Sequence, residues 1–477
     1  MSSKGDSDLS RGGRAEAGTR GRRCAAVAVG LGLVLATTGC GGPAREGMDS
    51  PPRNLLFVSI DTLRADHLGV YGYPRATSPR LDAFARSHIR FESFFTTMPK
   101  TGPSMTSFFT GRYPQNHGVT RNPMAVPASE QLLAEILPER FHKVAVVGNA
   151  TLAARRGYAA GFDEFVLTGG DTKDITDRAL DWLERLAGEP FFLWVHYLDP
   201  HGPYLPPEEL RDRFVGDAWY DPGRRVALDY APTPGLNPNY VLGALPLYQH
   251  LGSRNEVDYY VAQYDAEILE VDIQLGRLLD HLADSGLARE TLIVITADHG
   301  ESLGEHDYYF EHGMLVNEGS IRIPLIIGHP GLPARKIPDL VQNIDLLPTL
   351  LTQLDVPHDG PLDGLDLSPL LEGAPRVGGR EWIYACTPYP DMYPSFYETV
   401  RTGAHKLVRS GSGRLAYYDL ARDPEESRDA IDTLTPAIRQ DLAGVLDAFG
   451  RRPVEAPPEP VLPEELRERL EALGYIE

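Results

Sequence analysis

Two mainly apolar runs, NLLFVSI at residues 54–60 and TLIVIT at residues 291–296, each lead into an acidic residue. The first stops at Asp61, and the second passes through Ala297 to Asp298 and His299. A continuous apolar run of this length reads as a strand buried on both faces, which is the environment of a parallel sheet covered by helices. Open α/β sheets place their sites at the carboxyl ends of their strands. The pattern therefore predicts an α/β fold in which Asp61, Asp298 and His299 stand at one end of a buried sheet.

The rest of the chain fits that frame. Residues 143–147, 191–195 and 323–327 read as further buried strands. Residues 78–88, 174–186, 257–282 and 345–354 carry helical spacing. Residues 205–255 are rich in Pro, Gly, Tyr and Asp and read as an insertion over the site. Beyond residue 375 the pattern changes to short pieces at 382–385, 399–400, 405–408 and 415–419 with a turn at 410–413, the signature of an antiparallel sheet. A helix at 436–449 follows, then a Pro/Glu-rich stretch and a short terminal helix at 464–473. The expected organisation is a leader over 1–39, a tether over 40–53, a catalytic domain over 54–375, a C-terminal β subdomain with helix over 380–450 and a tail over 451–477.

At 477 residues the chain has room for one large domain and a smaller one, and a net charge of −21 argues against a nucleic-acid partner. Arg20, Arg22 and Arg23 precede a short apolar run that ends in Thr37-Thr38-Gly39-Cys40, the layout of a signal peptide. Cys40 after Gly39 resembles a bacterial lipoprotein cleavage site, with Thr37 where Leu is usual. The chain is thus expected to be exported to the cell envelope and held at a bacterial membrane by a lipid on Cys40. With Cys40 lipidated, Cys386 has no partner in the mature chain and no disulfide framework supports the fold.

Two carboxylates converging in an apolar setting need a cation to offset their desolvation and mutual repulsion. Carboxylate and imidazole ligands suit Ca²⁺, Mg²⁺, Mn²⁺ or Zn²⁺, and the residues do not choose among them.

The motifs IDTLRADHLGVYGY, TGPSMTSFFTGRYPQNHGV, HYLDPHGPY, ITADHGESLGEH, QNIDLLPTLL and DGLDLSPLL follow one another in an order that resembles the sulfatase family of the alkaline phosphatase superfamily. The C-terminal HKLVRSGSGRLAYYDLARDPEE extends the resemblance, which covers residues 54–426. It implies an alkaline-phosphatase-like, mostly parallel central sheet flanked by helices, with a smaller C-terminal antiparallel sheet. It implies that Asp61, Asp298 and His299 bind a divalent metal, and that His201 contacts the transferred anionic group. His312 lies near the place of a sulfatase lysine, with one residue more before Arg322. Asp199, with His201 and His312, is a candidate for a second metal, although Pro203 stands where two-metal phosphoesterases place a histidine. His196 reads as structural, and so do Arg112 and His117.

The sequence departs from the family at the nucleophile. Sulfatases carry a Cys or Ser that is oxidised to formylglycine, and an Arg four residues later. Here Thr101 and Met105 occupy those positions. Threonine lacks the oxidisable CH₂ at Cβ, so no formylglycine is expected. An unmodified Thr101 can still act, because a metal lowers an alcohol's pKa and holds it in line with an ester. The reading is a metal-dependent hydrolase of sulfate or phosphate esters, on small molecules or glycans. Thr101 is the nucleophile, and His201 or His312 the leaving-group acid or anion contact. The rival readings are an inactive surface binding protein and a phospho-group transferase.

Overall fold

A computed structural model describes residues 50–449 except 123, 231–240, 375–379 and 388–395. The leader, Cys40, most of the tether and the tail lie outside the described residues. Among the described residues, no helix is long and apolar enough to cross a membrane.

The core is an eight-stranded sheet in the order β10-β2-β9-β6-β1-β5-β3-β4. Its strands are β1 (Asn54–Ile60), β2 (Ile89–Phe95), β3 (His142–Val147), β4 (Glu164–Leu167), β5 (Phe191–Tyr197), β6 (Thr291–Ala297), β9 (Arg322–Gly328) and β10 (Arg335–Gln342). All neighbours run parallel except β9, which is antiparallel to both β2 and β6. The apolar runs at residues 54–60 and 291–296 are thus β1 and β6, buried along their whole length at the centre of the sheet. They pair in parallel, with Ile60 opposite Ala297, so the next residue of each chain is an aspartate. Adjacent strands lie about 4.8 Å apart, and this register alone brings Asp61 and Asp298 together.

Helices cover the sheet. Thr101–Thr110 packs through Phe108 and Phe109 on Phe57 of β1, with ring centroids 5.8 and 5.5 Å away, and Phe109 also meets Trp194 of β5 at 4.8 Å. This contact sets the N-terminus of that helix over the carboxyl ends of the strands. The helices Thr172–Arg185 and Pro79–Arg86 each pack against the long helix Val257–Asp284. The described residues of the 205–255 stretch form no strand, only two isolated bridges and the turn Leu247–Gln249. Gln249 donates to the Phe310 carbonyl at 2.7 Å and Tyr248 to Glu311 at 2.8 Å. The insertion therefore lies on the small hairpin of β7 (Ser302–Leu303) and β8 (Tyr309–Glu311), beside the site.

The second sheet is antiparallel, in the order β11 (Ile383–Cys386), β12 (Tyr397–Arg401), β13 (His405–Ser410) and β14 (Leu415–Asp419). The helix Pro436–Phe449 closes on it, with Phe449 stacked on Tyr384 at 4.1 Å. A buried ionic cluster joins this sheet to the main body. Lys406 lies 3.3 Å from Glu318 and 2.6 Å from Glu426, and Arg401 reaches Glu318 at 3.2 Å. Glu318 opens the short helix that leads into β9. Removing one partner of a buried pair leaves uncompensated charge and costs about 3–5 kcal/mol. Lys406→Met is accordingly expected to lower the stability of the fold by about 3 kcal/mol in equilibrium denaturation. A change within about 0.5 kcal/mol would show that the cluster does not hold the sheet in place.

Candidate active site

The strand ends of β1 and β6 build the floor of the site. Asp61, Asp298 and His299 are fully buried, and one ligand atom from each lies within 4.8 Å of the others. The His299 imidazole Nε2 is 3.7 Å from Asp61 Oδ1 and 3.5 Å from Asp298 Oδ2. Asp298 Oδ1 accepts backbone N–H bonds from His299 at 2.8 Å and Thr62 at 3.2 Å, which fixes the carboxylate plane. His299 Nδ1 contacts the Gly300 carbonyl at 2.9 Å, so its Nε2 is the atom turned to the carboxylates. Asp61 Oδ1 and Asp298 Oδ2 are buried with no hydrogen-bond partner. Two orphaned carboxylate oxygens beside an imidazole nitrogen fit a divalent cation, because buried polar atoms are otherwise almost always paired.

The electrostatics agree. Burial pushes the Asp298 carboxyl well above its ordinary value, and the Asp61 charge adds to that. Burial acts the same way on Asp61, but the imidazoles of His196, His201 and His299 outweigh it and hold Asp61 down at about 2. His299 is lowered to about 4, chiefly by burial, with Asp61 opposing. Without a cation the two carboxylates cannot both ionise cheaply; a bound cation reverses that balance.

Thr62 directly follows Asp61. It adopts a left-handed backbone, φ 56°, which is uncommon for a β-branched residue. The conformation turns its N–H onto Asp298. Strain of this kind gathers at functional sites.

Thr101 is the first residue of the helix Thr101–Thr110 and is buried. Its Oγ1 lies 3.3 Å from His299 Nε2. Its place at a helix N-terminus adds a field favourable to negative charge on oxygen. Ser104, the alternative hydroxyl in the same segment, is committed: it donates to the Asp298 carbonyl at 2.6 Å and meets Thr96 at 2.8 Å. Ser104 therefore ties the helix to the carboxyl end of β6. Met105 is buried in the core, with no charge where the family has its Arg.

His201 and His312 lie side by side, with ring centroids 5.1 Å apart, and His312 packs on His299 at 4.3 Å. Burial lowers His312 well below its ordinary value, helped by Lys100, His299 and His201. Asp199 takes a different place. Its carboxylate accepts from Thr172 at 2.6 Å, and enclosure, opposed by that bond and assisted by Asp171 and Glu270, raises it to about 6. It stands outside the three-residue group that Asp61, Asp298 and His299 form.

His117 and Arg112 occupy supporting positions. His117 Nε2 meets Ser107 at 3.0 Å, and Arg112 pairs with Glu130.

Asn149, Lys100 and Glu301 were not singled out from the sequence, and His196, which reads there as structural, also lies beside Asp61. Asn149, just past β3, donates to Asp61 Oδ2 at 2.5 Å. His196 binds Ser59 at 2.8 Å through Nδ1 and approaches Asp61 Oδ2 at 3.5 Å through Nε2. Lys100, buried and adjacent to Thr101, pairs with Glu311 at 3.6 Å. Its stem lies so close to Gly313, φ +91°, that a Cβ there would stand 2.2 Å from the Lys100 Cε. The available signal was adjacency: Lys100 precedes Thr101, and Glu301 lies two residues past His299.

The family model described as Sulfatase matches residues 53–356, and one described as N-sulphoglucosamine sulphohydrolase, C-terminal, matches residues 304–448. An ulvan-active sulfatase of Formosa agariphila is 26% identical over 455 residues, covering 85% of this chain and 84% of the relative. Among solved structures, BT4656 in complex with its substrate D-glucosamine-2-N,6-O-disulfate superposes with a TM-score of 0.72 at 22% identity, covering 84% of this chain and 98% of that one. A phosphonate monoester hydrolase from Silicibacter pomeroyi gives a TM-score of 0.68 at 23% identity, covering 84% and 96%.

Asp61→Asn and Asp298→Asn are each expected to abolish stoichiometric divalent-metal binding while leaving the circular dichroism spectrum intact, because neutralising either carboxylate relieves the repulsion in the apo-protein. Elemental analysis of the purified variants checks this. Full metal occupancy in both would place the ligands elsewhere.

Proposed function

The chain belongs to the sulfatase family of ester hydrolases, and from that premise we propose that it cleaves a sulfate, phosphate or phosphonate ester with unmodified Thr101 as nucleophile. The observation that carries this reading is the position of Thr101 Oγ1, 3.3 Å from His299 Nε2 at a helix N-terminus above the Asp61, Asp298 and His299 group. Family members use divalent metal ions, and Asp61, Asp298 and His299 would hold one here. A cation so placed supplies activation of the hydroxyl and neutralisation of the substrate's charge.

The chain's own residues do the rest. The strand ends and the N-terminus of the Thr101–Thr110 helix hold the nucleophile in line with the ester, which removes much of the entropic barrier. Lys100 adds positive potential beside the anionic group, and His201 contacts it. His312 gives a proton to the departing alkoxide, and His201 or His312 activates the water that later hydrolyses the Thr101 ester. Formylglycine hydrate would release its sulfate by elimination, whereas a threonine ester requires that second, water-dependent step. This favours phosphate or phosphonate esters over sulfate. The names of the relatives favour a small-molecule or glycan ester.

Thr101→Val keeps the shape and removes the hydroxyl, and is expected to lower kcat by about 10³-fold or more. Thr101→Ser is expected to retain measurable turnover. Both are assayed on aryl sulfate, phosphate monoester, phosphate diester and phosphonate substrates with added divalent metals. Undiminished turnover in Thr101→Val would rule out Thr101 as the nucleophile.

A further inference from the structure

Beside the metal-site residues lies a second buried group that the hydrolytic roles above do not use: Glu301, Glu311, Tyr204 and Tyr248. Glu301 Oε1 is 3.1 Å from His312 Nδ1, and the other carboxyl oxygen of Glu301 accepts from the Tyr204 hydroxyl at 3.2 Å. Glu311 Oε1 accepts from the His312 backbone N–H at 3.0 Å, and its other oxygen accepts from Tyr248 at 2.8 Å. Glu301, Glu311 and His312 are almost inaccessible to solvent. The His312 ring is thus gripped from its Nδ1 edge by Glu301, from its backbone by Glu311 and from one face by His299 at 4.3 Å.

An imidazole exchanges a proton with a substrate through one nitrogen, and the partner of the other nitrogen decides which one. Here Nδ1 is committed to Glu301, which leaves Nε2 for the reaction. We propose that Glu301 is the positioning residue for His312, fixing its tautomer and ring plane so that Nε2 delivers the proton to the departing oxygen. As the bond from sulfur or phosphorus to the leaving oxygen breaks, its electron pair stays on that oxygen, the Nε2 proton transfers to it, and the proton that Glu301 holds against Nδ1 moves onto Nδ1, so the ring stays neutral. Tyr204 holds Glu301 in turn, so the chain Tyr204–Glu301–His312 links the segment after β5 to the reacting group. The inference rests on the reading of His312 as leaving-group acid.

The test is a series of aryl esters of graded leaving-group acidity, together with one alkyl ester, of the acid that the enzyme turns over. A group that protonates the leaving oxygen matters most when that oxygen is a poor leaving group. Glu301→Met is expected to lower kcat on the alkyl ester about 10²-fold and on the most acidic phenol ester less than about 3-fold, with KM little changed. His312→Asn is expected to show the same steepened dependence on leaving-group acidity, and the double variant to be no slower than His312→Asn alone, because residues acting as one unit are not additive. If Glu301→Met does not fold, Tyr204→Phe, which removes only the hydroxyl on the far carboxyl oxygen, carries the same readout at smaller amplitude. An even loss across the series in the variant that folds, or additive losses in the double variant, overturns the role of Glu301. An even loss in His312→Asn overturns the leaving-group assignment beneath it, and the inference with it.

Discussion

Asp61 and Asp298 repel one another at the ends of neighbouring strands in a dry part of the protein, and most of the site is arranged around that repulsion. Parallel pairing of β1 with β6 forces the encounter, since Ile60 opposite Ala297 leaves each carboxylate next in line. Backbone N–H groups of Thr62 and His299 hold Asp298, and Asn149 and His196 hold Asp61. One oxygen of each remains unpaired. The protein thereby stores an unfavourable arrangement that a divalent cation bound there would relieve, and the sheet register sets that arrangement as much as the side chains do.

Thr101 depends on the same floor. Phe108 and Phe109 seat the Thr101–Thr110 helix on β1, while Ser104 bonds the carbonyl of Asp298 itself. Thr101 and its metal-site neighbours are therefore positioned by one rigid unit rather than by a loop. The C-terminal sheet buttresses that unit from behind. Cys386 donates its N–H to the Thr97 carbonyl at 3.0 Å, and Thr97 in turn bonds Ser107 on the Thr101–Thr110 helix at 3.0 Å.

The sequence exposed the centre of the fold more clearly than its margins. Strands β1, β5 and β6 are buried on both faces, so burial writes a continuous apolar run into them. β10 is an edge strand, and it carries Arg335, Lys336 and Pro338 with a register shift between Ile337 and Leu340, so no such run exists. β4 is the other edge and is partly exposed. The same division holds at the site. Asp61, Asp298 and His299 could be found from strand ends, and Thr101 from its resemblance to a known motif. Asn149, Lys100 and Glu301 acquire meaning only from partners 88, 211 and 11 residues away along the chain. The Asp199 carboxylate likewise takes its place from a partner distant in sequence, Thr172.

The central claim is that an unmodified Thr101 oxygen bonds covalently to the transferred group. Rapid quenching of the metal-loaded enzyme during turnover of a slow ester, followed by peptide mass spectrometry, tests it directly. The account predicts that the peptide containing Thr101 gains one sulfo or phospho group at the threonine oxygen and that the unreacted peptide has the unmodified mass. A transferred group on any other residue, or an unlabelled Thr101 peptide while product forms in a pre-steady-state burst, would contradict it.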